Sequence, residues 1–322
     1  MDKNYFKPID AFESPRFTQI ATFSRLKHVE SLDNVDACFL GVPFDSGTTY
    51  RTGARQGPSA IREQSRLLRP YNYFMDVYPY EHLNVIDYGD VNIIPTDILD
   101  TFNAIEKKMS EILSSNVVPV IGGGDHSITY PVLKQMAKTH GKVNILHLDS
   151  HFDFWDQYWG KKYTHGTWLR RAMDDNLLKN ISQGGMRGGF FDKSDLDFVS
   201  NEKINLLTIR EFHELGVREA MKRLLSKFDK KDPLYVSIDI DFVDPAFAGG
   251  TGTPEVGGIT SWDALECVRS LLDYRLVGLD VVEVSPVFDP PSQNTALLAA
   301  NLLYEGLSVI AKNRQNGVEA FQ

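Results

Sequence analysis

The sequence predicts an α/β protein, a single three-layer α/β/α sandwich with a mostly parallel eight-stranded sheet. Short β-branched and apolar runs alternate with longer amphipathic stretches from about residue 36 onward, the rhythm of parallel strands joined by crossover helices. The 322 residues are 42% hydrophobic and 24% charged, a globular composition long enough to bury a large core. No repeat, low-complexity tract or flexible linker interrupts the alternation. One domain over 36–322 is therefore expected, after an N-terminal arm (1–35) that packs on a neighbour.

The expected strands are 37–42, 83–87, 117–122, 143–149, 181–185, 204–209, 234–241 and 275–284. Between them, helices are expected at 58–68, 97–115, 130–140, 217–228, 261–273 and 294–313, several opened by Asp, Ser, Pro or Asn in capping positions.

With 43 acidic against 34 basic residues and a formal charge of −9, the chain lacks the basic footprint of a nucleic-acid binder, and cationic small molecules suit it better. Cys38 and Cys267 lie in apolar contexts and read as buried small hydrophobes. The N-terminus has no apolar stretch behind its charges, and the segment from Thr295 to Lys312 carries Asn301 and Glu305, short of a clean apolar span of about 20 residues. A cytoplasmic protein with no membrane partner is the expectation.

Ligands of parallel sheets bind beyond the carboxyl ends of the strands. Four expected strand ends carry polar clusters: GGGDHS, DSHFD, DIDFVDP and EVSP. In an extended backbone, Asp149, His151 and Asp153 at i, i+2 and i+4 point to one face, as do Asp239 and Asp241. Such groups repel one another and strand buried charge unless a cation sits among them. With His126, two histidines and four aspartates suffice for two divalent ions sharing carboxylates, about 3.5–4 Å apart as in binuclear hydrolases. GGGDHS lacks both the Lys-Ser/Thr of a P-loop and the spacing of a dinucleotide fingerprint.

These segments, GGGDHS, HLDSHFD, SIDIDFVDPAFAGGTGTPEVGG and DVVEVSP, resemble the signatures of the ureohydrolase family, the arginases and agmatinases that cleave guanidino compounds to urea and an amine. GVPFDSGTTYRTGARQGPSAIR and NTALLAANLLYE resemble the agmatinase branch. The resemblance implies that His126, Asp149, Asp153 and Asp239 bind one ion and Asp149, His151, Asp239 and Asp241 the other, with manganese the expected metal and nickel the alternative. It implies a homotrimer or homohexamer. A metal-shared water, its pKa lowered to about 7, would supply the nucleophile; Asp153 would orient it. Glu283 would clamp the guanidinium bidentately, although without the resemblance it reads equally as a structural acid. His165, which resembles the family's loop histidine, would pass a proton to the leaving amine; its other reading is a solvated loop residue. His147 reads as supporting the site from within the sheet layer, and His28, His82, His140 and His213 as surface residues.

The segment after Asp153 departs from the family. Phe154, Trp155, Trp159 and Trp168 make an aromatic loop beside the metals, either a pocket wall or ordinary packing. In arginases the position of Trp155 is an asparagine that holds the amino-acid head group, so arginine is disfavoured. Agmatine or a related guanidino-alkyl compound remains, with guanidine the alternative. A deacetylase-like metal amidohydrolase and an inactive partner subunit are further readings, disfavoured because both ligand pairs are complete.

Overall fold

The computed structural model describes residues 6–321; the first five residues of the expected arm, and Gln322, lie outside it. Eight strands form one sheet: β1 (Ala37–Gly41), β2 (Val85–Asp90), β3 (Val118–Gly122), β4 (Val143–Leu148), β5 (Leu178–Met186), β6 (Asn205–Thr208), β7 (Leu234–Asp239) and β8 (Leu276–Val282). Their order is β2-β1-β3-β8-β7-β4-β5-β6. Every pairing is parallel, so the sheet is wholly rather than mostly parallel.

Strands β1, β3, β4, β7 and β8 are buried along their whole length, as a parallel sheet with both faces covered requires. Alternate residues feed two cores. Phe39, Val120, Val236 and Leu279 face the helices Asn294–Gln315, Ser261–Arg269 and Val217–Leu225. Leu40, Ile121, Ile145 and Tyr235 face the helices Ile98–Ser114 and Thr129–His140. The first of these two begins at Asp97, whose side chain accepts the Leu99 and Asp100 N–H groups, and buries Phe102, Ile105, Met109, Ile112 and Leu113 at helical spacing.

Four further α-helices, Pro79–His82, Trp168–Asp174, Ser194–Asn201 and Ile209–Leu215, have no counterpart in the sequence reading. Each is too short for a 3.6-residue periodicity to stand out. No helix among the described residues is long and apolar enough to cross a membrane. Within residues 6–35, Phe23 is buried and stacks on Phe39 at 4.6 Å, and its N–H donates to Asp87 Oδ2, whereas Phe12, Phe17 and Ile20 are exposed. Arg62 grips the same carboxylate. Cys38 and Cys267 are buried free thiols.

The strand order brings β3, β8, β7 and β4 side by side, about 4.8 Å between neighbours. The four polar motifs therefore emerge from four adjacent strand ends in the middle of the sheet. Gly124 makes the first turn possible: a β-carbon there would lie 1.8 Å from the Phe44 carbonyl oxygen, which accepts the Asp125 N–H at 2.7 Å. Gly124→Ala should cost about 1–3 kcal/mol or more in urea unfolding, whereas Gly189→Ala, whose β-carbon meets nothing within 4 Å, should stay within about 0.5 kcal/mol of the parent. A Gly124→Ala protein of parental stability would contradict the packing described.

Candidate metal centre

The six expected ligands converge, but not on extended backbone. Strand β4 ends at Leu148, and Asp153 has φ +55°. Asp239 closes β7, and Asp241 lies in a 3-10 turn, its N–H donated to Asp239 Oδ1 at 2.8 Å. Tight turns, rather than a shared strand face, aim these side chains together. His126 opens another such turn, capped by Asp125.

His126 Nδ1 is buried without a hydrogen-bond partner of its own. It lies 3.1 Å from Asp149 Oδ2, 3.1 Å from Asp153 Oδ2 and 3.3 Å from Asp239 Oδ2. His151 Nδ1 lies 3.4 Å from Asp149 Oδ1 and 3.1 Å from Asp241 Oδ2, and the latter oxygen is also unpartnered. An octahedral ion with bonds of about 2.1 Å sets neighbouring donors about 3.0 Å apart, so both groups have the spacing of cation ligands. Burial opposes a charge on His126, yet the three carboxylates hold it well above the ordinary imidazole range. Burial first, then Asp241 and Asp149, push Asp239 well above the carboxylate range. Protons are retained on such donors until metal displaces them.

Buried hydrogen bonds fix the orientation of each imidazole. Ser237 donates to Asp280 Oδ1 at 2.6 Å, so its oxygen must accept from His126 Nε2 at 2.8 Å. That puts the proton on Nε2 and leaves Nδ1 free for a cation. Tyr235 and Thr129 donate to the other Asp280 oxygen. His147 Nε2 lies 2.7 Å from Asp149 Oδ2 and is itself within reach of the cluster. The Gln183 amide is oriented by the Phe152 carbonyl and donates to His147 Nδ1, so Nε2 carries the proton. His147 holds Asp149 and is no ligand.

Glu283 has φ +61°, a strained conformation for a glutamate. Its Oε1 accepts the His126 N–H and faces His165 Nδ1, both at 2.9 Å. Only Oε2 is uncommitted, buried and without a partner. Burial opposes charge on His165, but the Glu283 carboxylate raises it to about 9. Thr49 Oγ1 stands 2.7 Å from His165 Nε2 and its N–H at 3.1 Å. The amide favours the neutral ring, but a charge-assisted bond to Glu283 is about twice as strong as a neutral one.

A cavity of about 180 Å³ opens over this cluster, lined among others by His151, Asp153, His165, Trp155, Tyr158 and Phe191. Glu283 does not line it. The aromatic loop divides: Trp155 and Tyr158 reach the wall, Phe154 packs between Phe152 and Phe198 in the core, and Trp159 is exposed. Trp168 is buried, stacks on His126 and donates Nε1–H to Asp153 Oδ2 at 2.9 Å, so it orients that carboxylate. His28 and His213 are exposed and His82 and His140 half-buried. The sequence reading missed Thr49, Gln183, Ser237 and Asp280; Thr49, Ser237 and Asp280 lie inside the motif segments, and Ser237 even keeps the i, i+2 spacing to Asp239, but their partners are set by contacts between segments.

Ser237→Ala and Asp280→Asn should each weaken divalent-ion binding about 10–100-fold, read by titrating metal-stripped protein in metal-buffered solution. Parental affinity in both variants would contradict the tautomer assigned to His126.

The arginase family model matches residues 35–308. The chain is 42% identical over 315 residues to a guanidinobutyrase of Pseudomonas aeruginosa, covering 96% of this chain and 98% of that one. It is 40% identical over 293 residues to a mitochondrial agmatinase of Gallus gallus, covering 90% and 86%. The solved proclavaminate amidino hydrolase from Streptomyces clavuligerus superposes with a TM-score of 0.89 at 38% identity, over 93% of this chain and all of that one. With its strand order, its cluster of aspartates and histidines and near end-to-end relatives, the chain belongs to the arginase family and is an amidinohydrolase of that family.

Proposed function

We propose that the enzyme hydrolyses agmatine or a related guanidino-alkyl compound to urea and an amine. Two divalent ions would be held by His126, Asp149, Asp153 and Asp239 on one side and by Asp149, His151, Asp239 and Asp241 on the other. The observation that carries this reading is Asp149, whose Oδ2 faces His126 and whose Oδ1 faces His151, so that one carboxylate joins two donor groups. When bound, the ions supply hydroxide at neutral pH by lowering the pKa of a shared water.

The side chains supply the rest. Asp153, steadied by Trp168, accepts a hydrogen bond from the attacking water and orients it. Four aspartates balance two divalent ions, so a shared hydroxide would leave the site about one unit negative and draw in a guanidinium, while the charge of Glu283 is matched by the protonated His165. With Oε1 committed to the His126 N–H and His165, and the residue set behind the cavity lining, Glu283 positions His165 rather than clamping the guanidinium bidentately. His165, on the cavity wall and raised to about 9, carries the proton that the leaving amine takes up.

Trp155 on the wall disfavours arginine: an indole has one donor and no acceptor for the α-ammonium. An unpartnered head group costs several kcal/mol, roughly a hundredfold in kcat/KM or more. Guanidine is the alternative substrate, because the aromatic wall narrows the cavity. Manganese fits the oxygen-rich donor set, with nickel the alternative. A homotrimer or homohexamer belongs to this reading, in which the exposed cluster of Tyr73, Phe74 and Trp262 lies at a subunit contact.

Purified protein should contain two divalent ions per chain and release urea and amine in equal amounts; ammonia without urea from every guanidino substrate tried would contradict the reaction. Asp153→Asn should lower kcat far more than it raises KM. An increase in KM alone would mean that Asp153 only binds substrate.

A further inference from the structure

The wall of the cavity bears on the charge that a substrate carries at the end remote from its guanidino group. Arg187 is the only lysine or arginine among the lining residues, and its N–H groups are already engaged. Nε donates to Glu255 O at 3.2 Å, Nη1 to Phe242 O at 3.1 Å, and Nη2 to Asp241 O at 2.5 Å and Glu255 O at 2.8 Å. A carboxylate could take the guanidinium fork only by releasing the carbonyls that hold the Asp241 turn.

Glu255 lines the same cavity and is half-buried. Its carboxylate lies against Gly188, where a β-carbon would come within 2.7 Å of it. Gly188 has φ +75°, so both backbone and space favour glycine there. A carboxylate in a cavity also lined by Trp155, Tyr158 and Phe191 makes an environment for a cation, and one that repels a second carboxylate.

Resting on the proposed guanidino-hydrolase reading, we infer that this site selects substrates by the charge of their far end. It accepts guanidino compounds whose far end is cationic or neutral and rejects guanidino carboxylates, and Glu255 imposes the choice. This distinguishes the chain from the relative named a guanidinobutyrase, whose substrate carries a carboxylate for which the lining of this cavity offers no uncommitted lysine or arginine.

The test compares kcat/KM for agmatine and 4-guanidinobutyrate, with guanidine as a third substrate, in the metal-loaded parent and in Glu255→Asp, Glu255→Gln and Glu255→Lys. The parent should favour agmatine over 4-guanidinobutyrate at least about tenfold, Glu255→Asp should keep that ratio, Glu255→Gln should bring it near one and Glu255→Lys should invert it. If guanidine alone turns over, the same ratio is read from the inhibition constants of the two longer compounds. A merely structural role for Glu255 would change the rates for both compounds together and leave the ratio intact. A parent that prefers 4-guanidinobutyrate, or a ratio unmoved by the Gln and Lys variants, overturns the inference while leaving the reaction standing. Absence of urea from all three substrates overturns the reaction itself.

Discussion

Asp149, Asp153, Asp239 and Asp241 bring four carboxyl groups together where each residue is at most 6% exposed, and so many buried charges are tolerable only when cations or protons lie between them. Much of the architecture serves that requirement. The strand order sets four motif-bearing ends side by side, and tight turns rather than strands aim the side chains. Asp153 and Glu283 adopt left-handed backbone conformations that cost free energy and persist only where surrounding structure enforces them.

The same demand explains why an otherwise apolar parallel sheet carries His147, Gln183, Ser237 and Asp280, all fully buried. Each would be costly alone. Joined in closed hydrogen-bond chains they set tautomers: Asp280 and Ser237 fix the proton of His126 on Nε2, and Gln183 fixes that of His147 toward Asp149. These four supporting side chains rest on strands β4, β5, β7 and β8, while the expected ligands sit at or just beyond the strand ends.

All eight strands were legible in the sequence because most are short apolar runs bounded by polar turns, β5 (LKNISQGGM) being the least apolar of them, and the expected ligands were legible because they sit at fixed spacing within short segments. The reason given for their convergence was incomplete: i, i+2 alternation assumes extended backbone, and Asp153 and Asp241 lie beyond the strand ends. What stayed hidden depends on pairings across the sheet. Ser237 meets Asp280 because β7 adjoins β8, and His147 meets Gln183 because β4 adjoins β5, neighbours that no local pattern announces. Trp168, which the sequence left as either a wall residue or ordinary packing, is a buried donor that orients Asp153 beside His126. Arg187 carries no motif, and its role emerged only from the carbonyls gathered around it.

Anomalous scattering from crystals of metal-loaded enzyme tests the central claim most directly. Two peaks are predicted, one bounded by His126 and Asp153, the other by His151 and Asp241, with Asp149 reaching both. A single peak, or two that share no carboxylate, would contradict the account.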